Sequence, residues 1–293
     1  MNQIPITGHT ALYGLLGKPA SHSISPAMHN LSFRANGIDA VYLAFEVGED
    51  ELPGAVEGLK ALGAKGFNLT MPNKNKMVSL CDELSPAARI TQAVNTVVID
   101  EDGRLTGHNT DGTGYMLSVL DAGYSIIGKK MTLLGAGGAA TAIWVQAALD
   151  GAAEISVFLR RESRFFARAE RTAEMLRERT ACKIKLCDYA DEEALRAELS
   201  DSQILTNATS VGMAPNENAS PIPDAALFPD GLIVSDIIYN PQETLLLKTA
   251  RENGNPCFNG FYMLLYQGAE AFRLWTGKQM PVSLVKQAYF TES

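Results

Sequence analysis

The stretch from Lys129 to Arg161 reads KKMTLLGAGGAATAIWVQAALDGAAEISVFLRR, and its punctuation decides the fold. Met131 to Leu134 is a short apolar run that stops at Gly135-Ala136-Gly137-Gly138-Ala139-Ala140. Good helix formers follow from Ala139 to Leu149, then a second apolar run from Ile155 to Leu159. Strand, glycine turn, helix, strand is one βαβ unit, and the turn carries the G-x-G-x-x-A form of a dinucleotide-binding fingerprint. Gly135 allows the tight turn, Gly137 lets backbone N–H groups approach a pyrophosphate, and Ala140 allows close helix–strand packing. The helix N-terminus then presents its free N–H groups and positive dipole end to phosphate charge. A glycine-rich turn can be only a turn, but the flanking strands and the unit length of ~30 residues favour the phosphate-binding reading. The uncharged run Met131 to Leu149 is not a membrane span. It holds Gly135, Gly137, Gly138, Thr132, Thr141 and Gln146 where a bilayer demands ~20 mostly apolar residues.

Working outward, 293 residues suffice for two ordinary domains. A hydrophobic content of 46% with 20% charged residues is that of a globular protein. The net charge of −8 argues against nucleic acid or an anionic membrane as partner, because there is no basic surplus to release counterions. Met1-Asn2-Gln3-Ile4-Pro5 lacks the basic start and apolar core of a secretory leader. Cys81, Cys182, Cys187 and Cys257 are scattered, without C-x-x-C or zinc spacing. They read as reduced thiols, no metal is expected, and the expected location is the cytoplasm.

Strand and helix patterns alternate before and after the fingerprint. Leu12–Leu16, Val41–Val47 and Phe67–Thr70 read as strands, and Pro26–Asn36 as a helix with Ser25 as N-cap. Glu51–Leu62 reads as a helix closed by Gly63. Val94–Ile99 and Arg104–His108 form a hairpin across Asp102-Gly103, and Asp111–Ala122 a helix ending at Gly123. Beyond the fingerprint come Phe165–Glu178, Lys183–Cys187, Glu192–Leu199, Ile204–Asn207, Ile233–Ile237 and Thr244–Asn253, in strand–helix alternation. Ser210–Pro229 reads as a long loop, and Gly260–Trp275 as a helix with one apolar stripe. The fold class is α/β: an N-terminal α/β substrate domain over 1–123, completed by C-terminal helices in 256–293, and a Rossmann-type doubly wound nucleotide-binding domain over 124–255. Ligands in such folds sit beyond the carboxyl ends of the strands.

Several polar clusters stand at those ends. Ser21 to Pro26 gathers three hydroxyls at a helix entrance, either as caps or as a carboxylate cradle. Lys74 lies just past a strand, and Asp111 opens a helix, where it can be a cap alone. The strings SHSISPAMHN, NLTMPNK, AVNT, GHNTDGTG, GAGGAA, NATSVGM, YNPQET and MLLYQGAEAFRLWTG occur in this order. With these motifs, from Leu12 to about Lys286, the chain resembles the shikimate dehydrogenase family, most of all its quinate/shikimate dehydrogenase branch.

The resemblance implies an NAD(P)-dependent oxidoreductase that interconverts 3-dehydroshikimate and shikimate, with 3-dehydroquinate and quinate as an additional candidate pair, on the route to aromatic amino acids. Its small-molecule partner is a cyclic hydroxy acid, and a homodimer is carried as an expectation. Lys74 matches the catalytic lysine and Asp111 its paired aspartate. When a hydride leaves the carbinol carbon, the hydroxyl proton needs a base. A lysine serves only if burial draws its pKa toward the working pH, whereas a nearby carboxylate favours the ammonium form. Sequence leaves that balance open. By the same matching, Ser23, Ser25 and Tyr239 hold the substrate carboxylate, and Thr70, Asn95 and Gln267 bond the ring hydroxyls. Gly135, Ala136, Gly137, Gly138 and Ala139 hold the cofactor phosphates. Thr209, Val211 and Met213 line its channel, with Gly260 and Met263 near the nicotinamide. His9, His22, His29 and His108 show no partner pattern and read as structural.

Two positions depart from the family. Leu159-Arg160-Arg161-Glu162 stands where the family has Asn-Arg, and Arg160 lies 160 − 138 = 22 residues past Gly138. There an acid selects NAD and an arginine accepts the 2′-phosphate of NADP. Arg160 and Arg161 suit that phosphate and Glu162 a free ribose, so NADP or NAD, either one, is the expected cofactor. Gly260-Phe261-Tyr262-Met263 replaces G-x-G-M, and a tyrosine ring there can crowd the nicotinamide. Two rival readings follow: a paralogue acting on a related ring such as aminoshikimate, or a nucleotide-binding protein with little turnover.

Overall fold

The computed structural model describes residues 5–222 and 224–290. The reading made on Met1 to Ile4 lies outside them, as does Pro223 within the long loop. The chain forms two compact units, residues 1–110 with 265–293, and residues 111–264.

The first unit opens with β1 (Ala11–Gly17), α1 (Ser25–Ala35), β2 (Ala40–Glu46), α2 (Leu52–Ala61) and β3 (Gly66–Leu69). A short 3-10 turn (Lys76–Leu80), β4 (Glu83–Leu84), α3 (Pro86–Thr91), β5 (Thr96–Ile99) and β6 (Leu105–His108) follow. The sheet order is β2-β1-β3-β5-β6-β4. β1 runs parallel to β2 and β3, while β5 is antiparallel to both β3 and β6. The hairpin signal at Asp102-Gly103 explains the reversal. Gly103 sits at φ +75°, and the Asp100 carboxylate accepts from the Asp102 and Arg104 amides at 3.0 and 2.8 Å. α3 escaped the periodicity reading although its cap was written in the chain. Ser85 accepts from the Ala88 amide, and Pro86 follows at the first turn. One correction concerns α1. Ile24 occupies the cap position without a side-chain cap bond, and Ser25 is already helical, so Ser25 is not the N-cap.

The second unit starts with α4 (Asp111–Asp121), then β7 (Lys130–Leu134), α5 (Gly138–Leu149), β8 (Glu154–Leu159), α6 (Phe166–Arg179) and β9 (Lys183–Asp188). It continues through α7 (Glu192–Leu199), β10 (Ile204–Asn207), a 3-10 turn (Ala225–Leu227), β11 (Ile233–Asp236), α8 (Leu245–Glu252) and β12 (Cys257–Phe258). Its six strands are all parallel in the order β12-β11-β10-β7-β8-β9, the doubly wound arrangement expected of a dinucleotide fold. α5 is apolar all round because it is almost wholly buried, with Ile143, Trp144 and Val145 at zero exposure.

α9 (Phe261–Thr276) and α10 (Val282–Tyr289) close the chain, and from Leu265 onward they belong with the first unit. There Phe272 and Trp275 join His29, Phe33 and Tyr42 in an aromatic layer, and the Trp275 indole donates to the Val97 carbonyl at 2.9 Å.

The observed break at Thr110/Asp111 precedes the one read at Gly123, and the return at Leu265 follows the one read at Asn255. Non-local contacts give the reason. A Cβ at Gly112 would stand 2.2 Å from the Ala142 carbonyl, so α4 packs backbone-to-backbone on α5. The buried Tyr115 hydroxyl bonds Thr206 and Ser235 of the second sheet at 2.5 and 2.8 Å.

Candidate functional site

In the first unit, four strand ends bring the polar clusters to one edge of the sheet. The loop after β1 is tied to the loop after β3, since the Lys18 amide donates to the Met71 carbonyl at 2.9 Å. Thr70 donates its amide to Leu16, and a Cβ at Gly17 would stand 2.1 Å from Thr70 Cγ2, so only glycine lets these loops meet. Lys74 follows in the same turn, half-buried, with its carbonyl accepting from the Val94 amide at 2.9 Å. Asn95 precedes β5 beside Leu69, whose amide donates to the Asn95 carbonyl at 2.9 Å. Ser23, Ser25, Thr70, Lys74 and Asn95 therefore share one edge. Gln267 belongs to the same unit, on the first turns of α9.

A buried hydrogen-bond chain runs beneath that edge. Asn95 Oδ1 accepts from the Thr110 amide at 2.8 Å, and its Nδ2 donates to Thr110 Oγ1 at 2.9 Å. Asn68 Nδ2 donates to the Asn95 carbonyl and to Thr96 Oγ1 at 3.0 and 2.9 Å, while its Oδ1 accepts from the Tyr42 hydroxyl at 2.7 Å. Burial pushes the Tyr42 phenol well above the usual range, and the neighbouring Ser25 hydroxyl acts in the opposite direction. Ser23 Oγ accepts the Ser25 amide at 3.2 Å. Tyr42 and Asn68 escaped sequence reading because each sits in an apolar strand run, AVYLAFE and GFNL, where a single polar residue looks like a surface position.

In the second unit the fingerprint lies at the switch point between β7 and β10, where the strand order reverses. Gly135 has φ +110°, and a Cβ there would stand 2.8 Å from the Ala208 carbonyl, so glycine is obligatory. Gly137 takes the cap position of α5 with no side-chain cap bond, and Cβ atoms at Gly137 or Gly138 would meet nothing within 4 Å. The opening N–H groups of α5, at Gly138 and Ala139, thus lack a side-chain cap, beside open space over the glycines. That arrangement fits a dinucleotide pyrophosphate.

Arg160, Arg161 and Glu162 are exposed at the end of β8. Arg161 Nε pairs with Asp188 Oδ2 at 3.1 Å, at the end of β9. Two further arginines join them: Arg164 and Arg168 lie over the Phe165 ring at 4.8 and 4.9 Å, and Arg168 Nη2 donates to the Ala136 carbonyl at 2.9 Å. Burial, and then Arg164, lowers the Arg168 pKa. Arg168 lies on the first turn of α6 and Arg164 just before that helix, and their four-residue spacing was the available signal.

The Thr209–Met213 loop is built from beneath. Asn207 Oδ1 accepts from the Thr209 amide and hydroxyl at 3.0 and 2.7 Å, and Asn207 Nδ2 donates to the Val211 carbonyl and to Asp236. Asp236 is fully buried, which raises its pKa, and it accepts also from the Ile238 amide and the Thr244 hydroxyl. Thr209, Met213, Ile237, Ile238 and Tyr239 line a cavity of about 430 Å³. Asp111 stands in the first turn of α4, as a helical residue. A Cβ at Gly260 would stand 1.9 Å from the Ile237 carbonyl, so this glycine seats the start of α9 against the exit of β11. Met263 and Tyr262 follow, both half-buried, with the Tyr262 ring 6.0 Å from that of Phe261.

Comparison with known proteins agrees with this geometry. The shikimate dehydrogenase substrate binding domain matches residues 15–97, and the shikimate 5′-dehydrogenase C-terminal domain residues 260–288. Shikimate dehydrogenase (NADP(+)) of Listeria monocytogenes is 53% identical over 285 residues, 97% of each chain. The chain belongs to the shikimate dehydrogenase family. A quinate/shikimate dehydrogenase of Escherichia coli is 46% identical over 282 residues, 96% of this chain and 97% of that one. A crystal structure of shikimate 5-dehydrogenase from Listeria monocytogenes, in complex with shikimate and NAD, superimposes with a TM-score of 0.94 at 52% identity. It covers 98% of this chain and 99% of that one. The family thus spans both units. No helix among the described residues is long and apolar enough to cross a membrane.

Proposed function

We propose that this chain is an NAD(P)-dependent oxidoreductase interconverting 3-dehydroshikimate and shikimate, with quinate as the second substrate to test. The observation that carries it is near end-to-end identity of 53% to a shikimate dehydrogenase (NADP(+)), together with an uncapped glycine turn at the switch point of a fully parallel sheet. Bound NADP or NAD accepts the hydride at nicotinamide C4.

Lys74 takes the hydroxyl proton from the reacting carbinol, at Nζ, and returns it in the reverse direction. Asp111 supplies the carboxylate that the family resemblance pairs with that lysine. Ser23, Ser25 and Tyr239 hold the substrate carboxylate, and Thr70, Asn95 and Gln267 bond the remaining hydroxyls. A site with that many hydrogen-bonding groups rejects an analogue lacking a hydroxyl, because its buried polar groups are then unpaired. Gly135, Ala136, Gly137, Gly138 and Ala139 cradle the pyrophosphate. Arg160 and Arg161 take a 2′-phosphate and Glu162 a free ribose, so both cofactors are admitted. Thr209, Val211 and Met213, with Gly260 and Met263, line the nicotinamide end. The described cysteines are all unpaired, which supports a reducing, cytoplasmic setting. Light scattering separates a homodimer from a monomer.

The test mixes purified protein with shikimate or quinate and NAD+ or NADP+ and follows the absorbance of reduced nicotinamide. Turnover of shikimate is expected with at least one cofactor. Tight cofactor binding with no signal in any of the four mixtures would refute the enzymatic reading.

A further inference from the structure

We infer that Asn73 is a positioning residue for Lys74. Its side-chain amide fastens the lysine's turn to the end of β2, beside the point that fastens the serine loop, and so fixes how far the base stands from the hydroxyls that hold the substrate carboxylate. The inference rests on the reading of Lys74 as the base and of Ser23 and Ser25 as carboxylate holders, and it gives a role to a motif residue that had none.

Glu46 and Val47 form the junction. Glu46 ends β2, and its Oε1 accepts from the Ala20 and Ser21 amides at 2.8 and 3.0 Å, which ties down the loop leading to Ser23 and Ser25. The Ser23 amide donates back to the Ala20 carbonyl at 3.1 Å, so the tie is carried forward. Val47, the next residue, donates its amide to the Gly17 carbonyl at 2.9 Å. Its carbonyl accepts from Asn73 Nδ2 at 2.8 Å. Two neighbouring residues thus anchor the serine loop and the lysine turn to one strand end. Within the turn, the Asn73 amide donates to the Thr70 carbonyl, and the Asn73 carbonyl accepts from the amide of Met77, both at 3.0 Å. Met77 is seated in the apolar core with Val47, Leu52 and Leu69. The Lys74 carbonyl accepts from the Val94 amide. The backbone that carries the lysine is therefore gripped twice, by Val94 directly and by the end of β2 through Asn73.

Hydrogen-bond arithmetic separates this role from plain stability. Asn73 is fully buried, and it pairs the Val47 carbonyl while its own Oδ1 has no hydrogen-bond partner among the described residues. One oxygen is satisfied and another is stranded. A leucine of similar shape would also leave one buried oxygen unpaired, that of Val47, so folding gains little from the amide. What the amide adds is a directed link between two loops. Such a link, buried where water cannot replace it, holds a catalytic side chain to within about 0.5 Å. A displacement of about 1 Å at the reacting centre costs on the order of 100-fold in rate.

The test is Asn73→Leu in the full chain, which keeps the shape and removes the link. Calorimetry gives Kd for shikimate, and single-turnover kinetics give the rate with whichever of NADP+ and NAD+ the wild type uses. Acetic anhydride labels the lysines, and peptide mass spectrometry gives the labelling of Lys74 relative to exposed Lys76, two residues on. The rate should fall by about 10- to 100-fold, while Kd for shikimate stays within about twofold. The Lys74/Lys76 labelling ratio should change by more than about twofold, because an amine's reactivity follows its surroundings. A purely structural role would lower Tm and leave the rate, Kd and labelling ratio of the folded protein at their wild-type values, which overturns the inference. Equal losses of rate and affinity, from a site loosened as a whole, overturn it as well. If Asn73→Leu does not fold, Asn73→Ser takes its place, since a hydroxyl on Cβ falls short of the Val47 carbonyl, and the same outcomes decide. A wild type that binds shikimate without reducing cofactor contradicts the proposed function, and the labelling ratio alone then decides the role of Asn73.

Discussion

His29 should make the stability of the first unit depend on pH in a way that a non-titrating replacement abolishes. Its exposure is 0%, and neither ring nitrogen has a hydrogen-bond partner among the described residues. Burial therefore disfavours the imidazolium and pushes the pKa from 6.5 down to about 3. Because the folded-state pKa is the lower one, the unfolded chain binds a proton that the folded chain refuses. Stability is full above about pH 6.5 and is lost progressively as the pH falls toward 3. The gap of about 3.5 pH units corresponds to about 5 kcal/mol at its full extent, and the part expressed between pH 7 and pH 5 is about 2 kcal/mol. That is a large share of the ~5–15 kcal/mol by which domains are stable. The assay is urea unfolding followed by Trp275 fluorescence in a Trp144→Phe background. Trp275 lies 5.2 Å from His29, and the chain has only these two tryptophans. His29→Met fills the site with an unbranched apolar side chain that does not titrate. The difference in unfolding free energy between pH 7 and pH 5 should be larger in the histidine protein by about 2 kcal/mol. Subtraction cancels His108, whose pKa burial also lowers, and the carboxylates. Equal losses in both proteins, to within about 0.5 kcal/mol, would refute a buried neutral His29.

Three further variants bear on the site. Lys74→Ala should lower turnover by about 10²–10⁴-fold, the usual worth of a positioned base, with Kd for shikimate changed far less; a preserved rate in the steady-state assay removes Lys74 from the mechanism. Gly135→Ala places a side chain at φ +110° and 2.8 Å from the Ala208 carbonyl. It should cost about 1–3 kcal/mol of stability and weaken NADP+ in calorimetry more than shikimate; equal affinities would mean the turn tolerates a Cβ. Tyr262→Gly should raise cofactor affinity or rate if the tyrosine ring is obstructive, and an unchanged or lower value would show it to be accommodated.

The parallel sheet was legible because a strand, a glycine turn and an alanine-rich helix are local patterns, and each of Gly135, Gly137 and Ala140 does a job that its neighbours reveal. The same holds for the hairpin at Gly103 and the helix end at Gly63. Where contacts are remote in sequence, reading failed. α4 belongs with the second unit because Gly112 meets Ala142 and Tyr115 meets Thr206 and Ser235, and no periodicity in Asp111–Asp121 announces partners so far along the chain. Ser25 read as a cap because serine before proline usually is one, yet the helix starts one residue earlier, with Ile24 in the cap position and Ser25 already helical. Arg168 escaped for a related reason. A basic residue on an exposed helix is ordinarily solvated, and only the fold brings it to the Ala136 carbonyl.

Hydride transfer from the ring carbinol is tested most directly with shikimate deuterated at the reacting carbon. With NADP+ or NAD+, the deuterium should appear in the reduced nicotinamide, and the label should slow the chemical step in single-turnover experiments. Deuterium released to solvent, with none in the cofactor, would contradict a dehydrogenase.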